Sequence, residues 1–213
     1  EYIIMSIERL SCIHSPIKVK GLVLAMVGSF APVHYGHLDA MRTAKKTVNN
    51  YFGQTDAVVF APNSDAYVSI KLDDKHGEWD FSRRVAEFQA VKNNIGVPTF
   101  VDDITGSNPP EKSISEEVIQ TIKQKLGVFA YQIVLVVGSD QIRSMRPHLG
   151  NNRAVCVIRP NFEKHMYEAA QEEWLQKAIS ERRYIMTPQD SPNLIISSTA
   201  IRQKLIDVRG NKV

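Results

Sequence analysis

The chain has 213 residues, 43% of them hydrophobic and 23% charged, with a formal net charge of +3. That length suits one α/β domain rather than two, and the composition is ordinary for a globular protein. The small net charge does not argue for a nucleic-acid binder, and no apolar run reaches the length of a membrane span. The two cysteines, Cys12 and Cys156, build neither a disulfide framework nor a zinc site. A reducing compartment, cytoplasmic or nuclear, is the expectation.

Residues 1–20 read as an N-terminal arm. The first residue is Glu1, so either native residues precede it or Met5 is the natural start, and Glu1 to Arg9 lack the clean apolar region of a signal peptide. From Gly21 onward strands and helices alternate. Leu22 to Val27 reads as a buried strand over about 21–28, and Leu38, Met41, Ala44 and Val48 share one face of a helix over 36–52. Thr55 to Ala61 is the second strand, ended by Pro62. The polar stretch 62–80 has no clean period and reads as a long, functional loop. Phe81, Val85, Phe88, Val91 and Ile95 form an amphipathic helix, and Thr99 to Val101 the third strand. After a loop over 102–110, Ser113-x-x-Glu116 has the form of a capping box before Ile114, Val118, Ile122 and Leu126. Gln132 to Val137 is the most apolar run and reads as a central strand, broken by Gly138-Ser139-Asp140. A fifth strand over 154–158, a helix over 166–179, a short strand over 184–186 and a last helix over 198–208 follow. Such alternation predicts a single doubly wound, Rossmann-like parallel sheet built through right-handed crossovers.

The chemistry-bearing stretch is Gly28-Ser29-Phe30-Ala31-Pro32-Val33-His34-Tyr35-Gly36-His37, between the first strand and the first helix. Ligands of open α/β sheets bind outside the carboxyl ends of strands, and a helix N-terminus suits phosphate. Gly28 is expected to let the backbone approach a ligand, and Gly36 to let the chain turn before His37. Neither histidine falls in an apolar stripe, which argues against burial. Near the C-terminus stands Ile196-Ser197-Ser198-Thr199-Ala200-Ile201-Arg202. Alone it reads as a plain Ser/Thr helix cap.

Together the two stretches resemble the signatures of the HxGH nucleotidyltransferase superfamily, HxGH followed late in the chain by ISSTxxR. Within it the chain looks most like the nicotinamide/nicotinate mononucleotide adenylyltransferases, because Pro62-Asn63-Ser64-Asp65-Ala66-Tyr67 matches their P-x-x-D-A-Y segment. The resemblance implies a nucleotidyltransferase domain over 21–213 with strand order 3-2-1-4-5. It implies an enzyme joining AMP from ATP to a pyridine mononucleotide in NAD biosynthesis, with Mg2+ carried by the triphosphate and no metal site of its own. His37, His34 and Arg202 would be catalytic. Gly28, Ser29, Phe30, Gly36, His37, Gly138, Asp140, Ser198, Thr199 and Arg202 would hold ATP. Asn63, Asp65, Tyr67, Lys71, Trp79 and Arg84 would hold the mononucleotide. No nucleic-acid or membrane partner is expected, and a homo-oligomer is compatible with the sequence.

Three departures stand against the family pattern. Val68-Ser69-Ile70 separates Tyr67 from Lys71. Asp102-Asp103-Ile104-Thr105 carries no aromatic where the family has a stacking tryptophan, so Trp79 either replaces it or packs. The tail beyond the last helix is short. The rival readings are another HxGH nucleotidyltransferase, acting on phosphopantetheine or making a cytidyl conjugate, and a non-catalytic sensor of ATP or a dinucleotide. The P-x-x-D-A-Y segment and the length argue against the first, and the retained His34, His37 and Arg202 against the second.

Overall fold

The computed structural model describes residues 6–72, 77–107, 114–145, 151–187 and 192–212. The capping box at Ser113 and part of the 62–80 stretch lie outside them.

Strands β1 (Ile7–Arg9), β2 (Leu22–Gly28), β3 (Thr55–Pro62), β4 (Thr99–Val101), β5 (Ile133–Gly138), β6 (Arg153–Val157) and β7 (Tyr184–Met186) form one sheet, in the order β1-β4-β3-β2-β5-β6-β7. Every pairing between neighbours is parallel. The expected order of five strands stands intact in the middle, as β4-β3-β2-β5-β6. The differences are at the edges: β7 extends one side, and residues 7–9, within the stretch read as an arm, extend the other beside β4.

The sheet is covered on both faces, so its strands are apolar on both. Alternate residues go to opposite sides. Val23, Ala25, Val59, Leu135 and Val137 pack against Val118, Ile119, Ile122 and Leu126 of α4 (Ile114–Leu126). Leu24, Met26, Phe60, Val134 and Val136 pack against Leu38, Met41, Ala44 and Val48 of α1 (Tyr35–Tyr51) and against Val85 and Phe88 of α3 (Phe81–Ala90). Helix α4 carries Glu116 and Glu117 in its first turn and Lys123 and Lys125 in its last, which suits its dipole. Asp80 caps α3 by accepting the Arg83 N–H at 2.7 Å.

Four sequence expectations need correction. The 62–80 stretch contains helix α2 (Asp65–Leu72), which escapes a periodicity search because only Val68 of it is buried. Helix α3 stops at Ala90 instead of reaching Ile95. Asn93 there turns its side chain onto the Ile95 N–H at 3.0 Å, a local bond that competes with the helix. The helix expected over 166–179 is two, α5 (Glu163–Ala169) and α6 (Glu173–Ser180), parted by a turn in which Gln171 and Glu172 donate to Glu168 and Ala169. The last helix, α7, spans only Ser198–Arg202. Lys204 takes a left-handed φ of 57°, and the tail folds back so that Val208 accepts the Tyr35 N–H at the start of α1.

Candidate functional site

The carboxyl ends of β2, β5 and β6 meet the N-terminus of α1 and the start of α7 around a cleft of about 200 Å³. Its lining includes Gly28, Ser29, Phe30, His34, Gly36 and His37 from the first motif, and Ser198, Thr199 and Arg202 from the second. Gly138 and Asp140 line it from the end of β5. Every residue that the resemblance assigned to ATP therefore borders one cavity.

The first motif is shaped by its own aromatic. Phe30 has a φ of 49°, a left-handed conformation that non-glycine residues adopt at a cost. This aims the ring inward, edge-on to Phe88 and to His37, each with centroids 4.9 Å away. A Cβ on Gly28 would stand 3.0 Å from that ring, so Gly28 makes room for Phe30. Gly36 is not the turn expected of it: it lies in the first turn of α1, and a Cβ there would meet the Asn193 carbonyl at 2.6 Å. What glycine provides at 36 is close docking of the C-terminal motif.

The histidines are also more buried than their pattern suggests. His34 is 4% exposed, and its ring stacks on that of His37 at 3.7 Å. The His34 backbone N–H donates to His37 Nδ1 at 3.2 Å, so a neutral His37 carries its proton on Nε2. Burial, then the positive charge of Arg159, pushes the His34 pKa down to about 3. Burial first, then His34 and Arg159, holds His37 well below the usual imidazole range. Both rings are therefore neutral at pH 7 in the ligand-free protein. His34 Nδ1 and Ser29 Oγ are buried at the cleft with no hydrogen-bond partner among the described residues. Buried polar atoms are seldom left so, and two beside one cleft are what a polar ligand would satisfy.

The second motif is stitched to the first. Ser197 is the plain N-cap, accepting the Ala200 N–H at 3.1 Å. Ser198 Oγ donates to the Pro32 carbonyl at 3.1 Å, and Arg202 donates to the Ala31 carbonyl and to Thr199 Oγ1. Asn193 donates to Asp39 of α1 at 2.6 Å. Because α7 has five residues, its dipole contributes less to an anion than the longer helix expected from sequence would.

The residues assigned to the mononucleotide are dispersed. Lys71 alone of the six borders the cleft. Arg84 is fully buried: Nε donates to the Trp79 carbonyl, Nη1 to those of Ser29 and Asn63, and Nη2 to Asp65 at 2.7 Å. It acts as a staple between loops, and its donors do not face the cavity. Asn63 is buried beneath it, Tyr67 is half exposed on α2, and Trp79 lies under the Arg83 guanidinium at 4.0 Å. Over the ends of β3 and β4 the chain closes on itself. Asp102 accepts the Ile104 and Thr105 N–H groups and the Thr105 hydroxyl, and a Cβ on Gly106 would collide with Phe81 and the Pro62 carbonyl.

Arg159, two residues beyond β6, borders the cleft and pairs with Asp140 at 3.1 Å. Sequence reading passes over it, although a cation at the end of the apolar strand Ala154–Ile158 stands at the same sheet edge as both motifs. Among the described residues no group of three His, Cys, Asp or Glu could hold a metal ion. No described helix is long and apolar enough to cross a membrane.

A cytidylyltransferase-like family model matches residues 25–204. A comparison with curated protein sequences returns no match. Two solved structures of the Plasmodium falciparum nicotinic acid mononucleotide adenylyltransferase are similar in fold. The one complexed with NaAD has a TM-score of 0.55 at 15% identity, covering 89% of this chain and 86% of that one. The one complexed with APC has a TM-score of 0.54 at the same identity and coverage. At that identity the likeness speaks for the architecture alone. With the matched model running from β2 to the end of α7, the chain belongs to the cytidylyltransferase-like family.

Proposed function

We propose that the protein is an adenylyltransferase that joins AMP from ATP to nicotinate or nicotinamide mononucleotide, releasing pyrophosphate. The observation that carries this reading is the meeting of two motifs, 166 positions apart, at one cleft, through Ser198 and Pro32. Membership of the family and the substrate named by the adenylyltransferase neighbours support it.

The chemistry asks for alignment and charge stabilisation more than for covalent help. A phosphate oxygen of the mononucleotide attacks the α-phosphorus. As that bond forms, the bond to the bridging oxygen of pyrophosphate breaks and negative charge moves onto the leaving group. His37, with its proton held on Nε2, is a fixed donor toward the phosphates. Arg202 spends two N–H groups on Ala31 and Thr199, which orients its remaining donors for phosphate oxygens. Asp140 is placed to accept from ribose hydroxyls. Mg2+ enters as part of the metal–triphosphate substrate.

A second reading is favoured by the closed ground over β3 and β4: a protein that binds the nucleotide without joining it to a pyridine mononucleotide. One experiment separates the two. The protein is incubated with ATP, Mg2+ and each mononucleotide, and the products are resolved by chromatography. A dinucleotide with either acceptor supports the enzyme. Tight ATP binding with no product from any acceptor selects the sensor.

A further inference from the structure

Arg159 is tied in three directions. Nε donates to the Leu194 carbonyl at 3.3 Å, Nη1 to Asp140 at 3.1 Å and Nη2 to the Ile196 carbonyl at 3.2 Å. Its backbone N–H donates to Ser139 Oγ at 2.9 Å, which fixes where the side chain departs. The ring of Phe162 lies 5.6 Å from the guanidinium. The Arg159 side chain is 23% exposed and that of Asp140 25%, and an ion pair this accessible adds little to folding stability. Its value is geometric. The two carbonyls it holds, of Leu194 and Ile196, lie either side of Ile195, and the second directly precedes the Ser197 cap. On the other side, Asn193 is held to α1 through Asp39 and the gap at Gly36. The backbone leading into Ser198, Thr199 and Arg202 is thus clamped between α1 and the ends of β5 and β6. A planar guanidinium can reach three acceptors set in different directions, and an ammonium on a flexible stem cannot hold them in register.

We propose that Arg159 is a positioning residue. It fixes the 194–196 backbone, and so places the second motif against the first, and it supplies a fixed positive charge beside the stacked histidines. Its charge lowers the His34 pKa after burial, and the His37 pKa after burial and His34, which is consistent with this placement. The elements around the histidines also carry Asp39, Arg42, Lys45 and Lys46 on α1, Asp65 and Lys71 on α2, and Arg83, Arg84 and Glu87 on α3, with Asp140 after β5 and Arg202 on α7. Only the kinetic consequence rests on the reading of the cleft as a nucleotide site.

Two variants separate geometry from charge, and both are measured first without nucleotide. Arg159→Lys keeps the charge and loses the three-way joint. Amide hydrogen exchange over 194–202 should rise at least tenfold while the β2–β5 core stays protected, and the histidine titrations seen by NMR should hardly move. Arg159→Gln loses both, so exchange should rise in the same segment and both histidines should titrate at higher pH. With ATP and an acceptor, each variant should lose roughly 10²-fold in kcat, the scale expected for small misplacement of catalytic groups. Unchanged exchange over 194–202 in Arg159→Lys overturns the positioning role. Histidine titrations that stay put in Arg159→Gln overturn the electrostatic one. A rise in exchange across the whole sheet makes Arg159 a folding residue and also overturns the proposal. If the unaltered protein fails to bind ATP, the functional reading fails, and the exchange and titration results still decide this one.

Discussion

The two halves of the sheet edge treat their polar groups in opposite ways. Over β2, β5 and β6 polar atoms are left unspent: Ser29 Oγ and His34 Nδ1 are buried without partners, and His37 keeps a proton available. Over β3 and β4 they are consumed. Arg84 has four acceptors, Asp102 three donors, and Gly106 is wedged against Phe81 and Pro62. An interior that satisfies itself is stable and closed, whereas one that does not is waiting for a ligand. The contrast sets an open, polar cleft beside a closed scaffold.

The hardest way to break the contrast is to remove the staple. Arg84→Leu leaves three carbonyls without their donor, and Asp65, whose side chain is 54% exposed, without its partner; a loss of about 3 kcal/mol in unfolding free energy is expected, carried by the carbonyls more than by the ion pair. Denaturant titration measures it, and a loss below 1 kcal/mol would mean that the second half is not closed by Arg84. Next comes the open half. His37→Ala should lower kcat by about 10²–10³, the cost of losing one preorganised donor. Because the ring packs on Phe30 and His34, melting temperature should also fall by a few degrees, a change from what its sequence pattern implies. Near-normal kcat in steady-state assays would remove His37 from the chemistry. Arg202→Ala should raise the ATP KM as well as lower kcat, and the double variant should lose less than the sum, because in the proposed reaction both groups meet the same phosphates.

The pH dependence sharpens the comparison further. An imidazole whose folded pKa lies below its unfolded value of about 6.5 stabilises the fold fully above pH 6.5 and loses that contribution as pH falls toward the folded value. For His34, with a folded pKa of about 3, going from pH 6.5 to 5 should cost about 2 kcal/mol, and His37 adds to the loss in the same direction. Urea unfolding at the two pH values reads it. The His34→Gln variant should show a clearly flatter dependence, and an equal slope in both proteins would place the titration elsewhere. The smallest effect belongs to Trp79→Ala. With the indole under Arg83 and away from the cleft, the mononucleotide KM should change less than about twofold, and stability by the 0.5–1 kcal/mol of an exposed cation–π contact. A larger rise in KM would show that Trp79 enters the acceptor site.

The strands were legible because buried parallel strands are continuous apolar runs, as in Ile133 to Val137, and α1, α3 and α4 because they bury one face. The half that lines the cleft was legible for a different reason. Gly28, His34, His37 and Arg202 are residue types that a packed strand-to-helix junction would not otherwise need. Helix α2 was not legible, since its exposed Tyr67 and Ile70 give no stripe. The stapling by Arg84 was not legible because its four acceptors are, in the main, backbone carbonyls, which leave no trace in sequence. Arg159 was missed for the same reason: two of its three partners are carbonyls of Leu194 and Ile196.

Ser198 touching Pro32 has a consequence for how the protein comes into being. The chain leaves the ribosome N-terminus first, so the histidine motif and α1 are exposed long before the segment that covers them has been made. Until residues 193–202 emerge, Asp39, the space above Gly36 and the Ala31 and Pro32 carbonyls have none of the C-terminal partners they hold in the finished fold. On the proposed function, binding competence would arrive in one late step of synthesis. A nascent chain stalled before Asn193 should carry most of the sheet and yet retain no triphosphate.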